Sequence, residues 1–353
     1  MKINFYHKLN KHFSKIIIDL NTELKLIKKT KLNYNFLVNE LIFLSLKTEI
    51  ILYDNSPKQK NPISLVKKDL VNLLEKVKSL KYFTEFDNNI SFKKRKLNSD
   101  NNHKKLFNKL WTNFNLKDFK KERLGRYNKR LKINNLKPFI KNKNVADFGC
   151  GHGNFLFSCC YLGAKECDGI DYGFNSIQYA KKMSIILNLK NKTNFYCRSV
   201  YKSKLRSNYY DFAIQNGVFH HLRNEQKAYN EIFRILKKGG HCWVYTDGGG
   251  GLRDFVSDLI QNILNKVDTS SVINSVRSFG LTTNKEYHIG DGFNAIYSHT
   301  NLTIIKKKLS KIGFKFVRQL KGGCKTDSDK PFHSKKYFNE KFGSGDLRLL
   351  FKK

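Results

Sequence analysis

Val145-Ala146-Asp147-Phe148-Gly149-Cys150-Gly151-His152-Gly153-Asn154-Phe155-Leu156 is the stretch that decides how this chain is read. An apolar run closes on an acid, glycines follow at alternate positions, and a second apolar run begins. The pattern predicts a short buried strand, a tight turn and the first turn of a helix. Glycine has no Cβ and tolerates positive φ, so the backbone there can turn sharply and lie directly against a ligand. Phosphate sites use similar loops, with helix N–H groups set against anionic oxygens. A carboxylate at Asp147 would repel such a ligand and suits one that presents an ammonium.

The strand-like Cys167-Asp168-Gly169-Ile170 ends at Asp171-Tyr172. That is about 20 residues past the glycines, where an acid can accept from both hydroxyls of a ribose. An amino-acid ammonium and a ribose in one ligand favour S-adenosylmethionine (SAM) over NAD or ATP. Residues 194–200 read as a third strand and 209–216 as a fourth, followed by Gly217-Val218-Phe219-His220-His221-Leu222. A helix over 225–236 then leads through Lys237-Lys238-Gly239-Gly240 into a fifth strand at 241–246.

This ordered series, over residues 142–246, resembles the class I SAM-dependent methyltransferases. It is most similar to the broad small-molecule type, with His-His-Leu after the fourth strand and Leu-Lys-x-Gly-Gly before the fifth. The resemblance implies an α/β fold: a Rossmann-like, doubly wound, seven-stranded mixed sheet with a C-terminal antiparallel strand. Strands at 315–320 and 347–351 would form the antiparallel hairpin at the sheet edge. It further implies SAM as cofactor, with Asp147 near the ammonium and Phe148, Gly149 and Gly151 giving backbone approach. Asp171 would take the ribose hydroxyls, with Tyr172 beside the sugar or adenine. Many relatives carry an acid at the end of the third strand; here Ser199 stands in its place, with Val200 N–H turned to the ring. Gln215, Asn216 and Gly217 would line the floor beneath the sulfonium.

The N-terminal part is different in character. Ile16, Leu20, Leu24 and Ile27 recur at helical spacing, 36–53 reads as a buried helix, and 63–80 as an amphipathic one with Ser64 as its cap. Residues 1–105 are therefore expected to be a helical extension closed by a polar linker at 87–105, which includes Lys93-Lys94-Arg95-Lys96. Residues 106–353 are expected to be the methyltransferase domain. Its helices over 106–140 carry Trp111, Phe114 and Phe119 for packing, and Arg123, Arg126, Tyr127 and Arg130 as pocket candidates. An insertion at about 248–300, beginning with Gly248-Gly249-Gly250-Gly251, is expected to shape the acceptor pocket.

The chain has 67 Lys and Arg against 29 Asp and Glu, a net charge of +38. An acidic partner such as RNA would explain that balance. The lysines are spread along the sequence rather than gathered in one block, so background composition explains it as well, and the second reading is preferred. Seven cysteines without a Cys-x-x-Cys pair give no expectation of a metal site. The odd cysteine count and the absence of a signal peptide lead to an expected cytoplasmic location, and no apolar run is long enough to span a membrane.

SAM carries the reactive methyl, so the protein must orient, desolvate and, for an O or N acceptor, remove a proton. Histidine suits that last task. His220 and His221 are candidates because they follow the fourth strand directly, although in the relatives such a pair often packs beneath the cofactor or caps a helix, and that role is preferred for them. His288 and His299 are candidates within a polar segment that also holds Asp291, Tyr297, Thr326, Asp327, Asp329 and His333. No Asn/Asp-Pro-Pro-Tyr follows the fourth strand, which argues against the common exocyclic-amine methylation of DNA bases, adenine or glutamine. The expected reaction is methylation of an O or N atom of a small polar molecule. An RNA or protein methyltransferase, and a catalytically silent SAM-binding protein, are the alternatives.

Overall fold

The computed structural model describes residues 6–27, 30–80, 119–264, 269–281, 289–290, 292–293, 297–324, 327–328 and 335–353. The chain forms two compact units, and neither is a single run of sequence. One comprises residues 1–98, 249–295 and 333–345; the other comprises 99–248, 296–332 and 346–353. Residues 249–295, expected within the acceptor-pocket insertion, thus fall in the same unit as the N-terminal helices.

The first unit is helical. Helices His7–Leu26, Lys31–Tyr53 and Pro62–Ser79 come from the N-terminal part, and Leu252–Leu264, Thr269–Ser278 and Phe338–Phe342 from later segments. Leu9, Phe13, Ile16 and Leu20 lie on the buried stripe of the first helix, as a three-to-four spacing requires. They share one core with Leu41, Val66, Leu70, Val77, Leu252 and Phe342. Phe13 stacks on Phe255 with ring centroids 4.9 Å apart. The third helix is capped by Asn61, not Ser64. The Asn61 side chain accepts from the backbone N–H groups of Ile63 (2.9 Å) and Ser64 (3.5 Å), and Pro62 occupies the first helical turn. Helix ends need an acceptor one position before the first turn, and Ser64 lies already inside it.

The second unit is built on a seven-stranded sheet. Its strands are β1 (Asn144–Phe148), β2 (Glu166–Asp171), β3 (Thr193–Cys197), β4 (Tyr210–Asn216), β5 (Leu236–Asp247), β6 (Lys315–Gln319) and β7 (Asp346–Lys352). They lie in the order β3-β2-β1-β4-β5-β7-β6. β1 to β5 pair in parallel, and β7 runs antiparallel to both β5 and β6. The expected mixed sheet is thereby observed, with β7 inserted between β5 and β6. Alternate residues of the central strands feed two cores. Val145, Phe212, Ile214 and Trp243 pack with helices Asn154–Tyr161 and Phe174–Ile186 on one face. Ala146, Phe148, Ala213 and Val244 pack with helices Glu225–Ile235 and Leu302–Ser310 on the other. Both faces are covered, so β1 is buried along its whole length.

Two strand limits differ from expectation. β3 ends at Cys197, which leaves Ser199 and Val200 in the loop beyond it. β5 begins early, at Leu236, but Leu236 pairs with Tyr210 and His241 with Phe212, so residues 237–240 bulge out as the glycine pair requires. The order of pairing reverses between β1 and β4, whose carboxyl ends open side by side; in such sheets this is where ligands bind. Trp111, Phe114 and the basic run at 93–96 lie outside the described residues.

The Asn61 cap gives a direct check. Asn61→Ala is expected to cost about 1 kcal/mol, whereas Ser64→Ala changes stability by no more than a few tenths. Urea unfolding followed by far-UV circular dichroism separates the two variants.

Candidate functional site

The glycine turn after β1 is held by contacts that only glycine permits. Gly149, Gly151 and Gly153 have φ of +81°, +51° and +78°. A Cβ on Gly149 would stand 2.5 Å from the Val218 side chain, and one on Gly153 would stand 2.8 Å from the Phe195 ring. A Cβ on Gly151 would meet nothing within 4 Å. Two of the glycines therefore serve packing, and Gly151 faces open space at the end of the sheet.

Asp171 ties this turn to the end of β2. Its Oδ2 accepts from Gly151 N at 2.9 Å and its Oδ1 from Gly173 N at 2.7 Å. Each carboxylate oxygen keeps a further lone pair for a hydroxyl. Burial raises the Asp171 pKa, opposed by these backbone donors. Tyr172, next in sequence, is exposed. Asp147 is buried at the end of β1, and its Oδ1 has no hydrogen-bond partner among the described residues. Burial, then the nearby charge of Asp171, pushes its carboxyl well above the usual carboxylate range. A buried acceptor of this kind is costly unless something completes it. The amino-acid ammonium of SAM has the matching charge, and a ribose fits the remaining acceptors of Asp171. The residues present fit the cofactor.

The other predicted cofactor contacts are less direct. The Gln215 side chain turns away to build the loop: its Nε2 donates to Tyr229 Oη at 2.9 Å, and its Oε1 accepts from Gly217 N at 3.0 Å and Val218 N at 3.3 Å. Asn216 accepts from Trp243 Nε1 at 3.1 Å and donates to Tyr127 Oη at 3.2 Å. Tyr127, on helix Gly125–Ile133, is thus drawn to the end of β4. Gly217, at φ +79°, leaves room for the Tyr245 ring. Ser199 Oγ accepts from Tyr201 N at 3.2 Å, a local turn contact, and Val200 is buried beside it. Phe148 is fully buried and contributes packing.

Three of the four candidate histidines come together. His220 and His221 occupy a short helical turn after β4, their rings 4.1 Å apart. Tyr297 stacks on His220 at 5.5 Å and on His299 at 6.3 Å. Ser298 N donates to His220 O at 2.7 Å, which fastens the 297–300 segment to the end of β4. His299 Nδ1 lies 2.8 Å from Asp247 Oδ2 at the end of β5. A neutral imidazole that donates through Nδ1 keeps Nε2 as its basic nitrogen. His288, Asp291, Thr326, Asp329 and His333 lie outside the described residues, as does the Arg123 side chain.

Sequence reasoning missed one buried network. Asp327 Oδ1 accepts from Arg130 Nη2 at 2.6 Å and from Arg348 Nη2 at 3.1 Å, and Arg348 also reaches Asp346 Oδ2 at 3.0 Å. The Arg348 guanidinium lies over the Tyr245 ring, 4.6 Å from its centre. Two arginines and two aspartates balance in charge, which a buried cluster demands. Arg130 therefore serves this network rather than the pocket rim. Asp346 and Arg348 alternate along one strand, and that spacing on β7 was the available signal.

The methyltransferase domain model matches residues 140–279. Over that stretch the chain matches a methyltransferase domain. Two curated relatives are described as tRNA U34 carboxymethyltransferases. The one from Campylobacter hominis is 32% identical over 124 residues, 33% of this chain and 41% of that protein. The one from Campylobacter fetus is 30% identical over 127 residues, with the same coverage of 33% and 41%. The chain thus spans about two fifths of the length of the curated relatives it matches. A solved SAM-dependent methyltransferase from Aquifex aeolicus aligns at 16% identity and a TM-score of 0.41, covering 68% of this chain and 99% of that one. Among the described residues, no helix is long and apolar enough to cross a membrane.

The strained acid makes a testable trade. A carboxyl whose folded pKa is raised binds a proton more tightly in the native state, so it destabilises the fold increasingly as pH rises. Asp147→Asn is expected to stabilise the ligand-free protein at neutral pH, with no gain below the unfolded carboxyl value of about 4. The same change weakens binding of S-adenosylhomocysteine. Thermal melts across pH, paired with calorimetric titration, check both halves.

Proposed function

We propose that this chain transfers the methyl group of SAM to an RNA acceptor. The observation that carries the cofactor half is the buried Asp147 oxygen, without a partner among the described residues, set beside the glycine turn and Asp171. The acceptor half is supported by the two Campylobacter relatives, whose described substrate is tRNA, and by the +38 charge. Nothing in the described site favours the small polar acceptor expected from the sequence over RNA.

SAM supplies an electrophilic methyl on a sulfonium. In the proposed reaction the sulfur–carbon bond breaks as a bond from an acceptor O or N forms, S-adenosylhomocysteine leaves, and the acceptor gives up a proton. Asp147 orients the amino-acid end, while Asp171 and Tyr172 take the ribose and adenine side. The turn at 216–218 limits the methyl-bearing end. His299, held by Asp247, is the proposed proton acceptor, because the carboxylate orients its ring and stabilises the imidazolium that forms. His220, between Tyr245 and Tyr297, is proposed as a wall of the acceptor pocket.

Incubation with methyl-labelled SAM, total tRNA and a small-molecule extract in parallel is expected to place label in nuclease-sensitive material. Label confined to the small-molecule fraction would overturn the RNA acceptor. His299→Asn is expected to lower transfer about 100-fold or more, with the affinity for S-adenosylhomocysteine unchanged. Full activity in that variant would remove His299 as the base.

A further inference from the structure

Resting on the RNA reading above, we infer that helix Gly125–Ile133 and the segment that follows β6 form a phosphate-binding track leading away from the cofactor site. Two segments distant in sequence build it. Residues 124–146 contain seven Lys and Arg and no Asp or Glu, and residues 300–324 contain seven and none. A random scatter of this chain's acids would have put some in each. The fold then packs these two acid-free segments against each other. Arg318 Nη2 donates to Asn134 O at 2.5 Å, and Asn134 exchanges hydrogen bonds with the backbone of Lys321, both at 2.8 Å. Arg130 Nε donates to Gly322 O at 3.0 Å. Gly323 lies directly against the side chains of Lys129, Arg130 and Ile133.

The track has a direction. Tyr127 anchors the start of the helix to Asn216, at the carboxyl end of β4. Arg126, Lys129 and Lys132 then follow at three-residue spacing, which places them along one side of the helix over about 9 Å. Lys129 and Lys132 are exposed, and so are Arg318 and Lys321. Lys321 follows Leu320, whose N–H donates to Arg348 O opposite Tyr245, so it too stands at the cofactor end of the sheet. Among the described residues, no carboxylate lies within ion-pair reach of Lys129, Lys132 or Lys321. Asp327, an acid packed into this frame, is buried and already neutralised by Arg130 and Arg348. Exposed lysines in a row, held by a rigid frame and without a carboxylate partner among the described residues, suit a polyanion rather than a small acceptor.

The test uses the full chain and unfractionated tRNA, with binding measured over a range of salt concentrations. The triple variant Lys129→Ala, Lys132→Ala, Lys321→Ala is compared with Lys181→Ala, Lys182→Ala, Lys190→Ala, three exposed lysines near the opposite, β3 edge of the sheet. The first triple is expected to weaken binding roughly tenfold or more and to reduce the salt slope by about 2. The control triple is expected to leave both nearly unchanged. S-adenosylhomocysteine affinity, unaltered in both, shows that the fold and cofactor site are intact. Equal losses in the two triples, or none in the first, would overturn the track while the RNA reading stands. Absence of tRNA binding by the unaltered protein would overturn the RNA reading and the track together.

Discussion

The Asp171 carboxylate is the contact on which the cofactor end of the sheet depends. One oxygen takes the amide of Gly151 and the other the amide of Gly173, so a single side chain fixes the turns after β1 and β2 together. With that clamp in place, Gly149 can sit against Val218 and Gly153 against Phe195. The loop after β4 is thereby brought to the turn after β1. The clamp also places a second carboxylate, Asp147, in a buried position near the first, where neither burial nor charge favours it. A site that is electrostatically incomplete without a cation is the physical form of a preference for a ligand with an ammonium.

Around that centre, polar contacts position and do not merely fill space. Gln215 builds the turn after β4 with both ends of its amide, and Asn216 reaches across to Tyr127 and Trp243. The cluster of Arg130, Asp327, Arg348 and Asp346 locks the segment after β6 to helix Gly125–Ile133 and to β7. Its worth is organisation more than stability, since buried ion pairs such as these three recover little beyond their own desolvation. The result is a frame that turns cations outward on one side and keeps Asp327 and Asp346 covered.

Much of the second unit was legible in the sequence because parallel strands buried on both faces must be nearly continuous apolar runs. β1 and β4 announced themselves in that way, β2 was found by its place between the glycine turn and Asp171, and the crossover helices followed from their period. Asp147, Gly151 and Asp171 were legible because an acid before a glycine turn and an acid at the next strand end have few other uses. Ser64 was misread as a cap because capping depends on where the first helical turn starts, which Pro62 decides. Gln215 was read as a floor residue from its place in the series, but its amide found better partners in Tyr229 and the turn.

The sequence by itself determined the strand series, the glycine turn and the acids at the strand ends, since these rest on local period, chain stiffness and neighbouring charge. Only the tertiary structure decided which distant groups meet. It set β7 between β5 and β6, joined His299 to Asp247, assembled the buried arginine–aspartate cluster, and placed residues 249–295 with the N-terminal helices. It also gathered lysines that look evenly spread along the sequence onto one frame. Groups some 190 residues apart, such as the Arg130 side chain and the Gly322 carbonyl, carry no local signal of their meeting, because what brings them together is the closing of the sheet and not the chain between them.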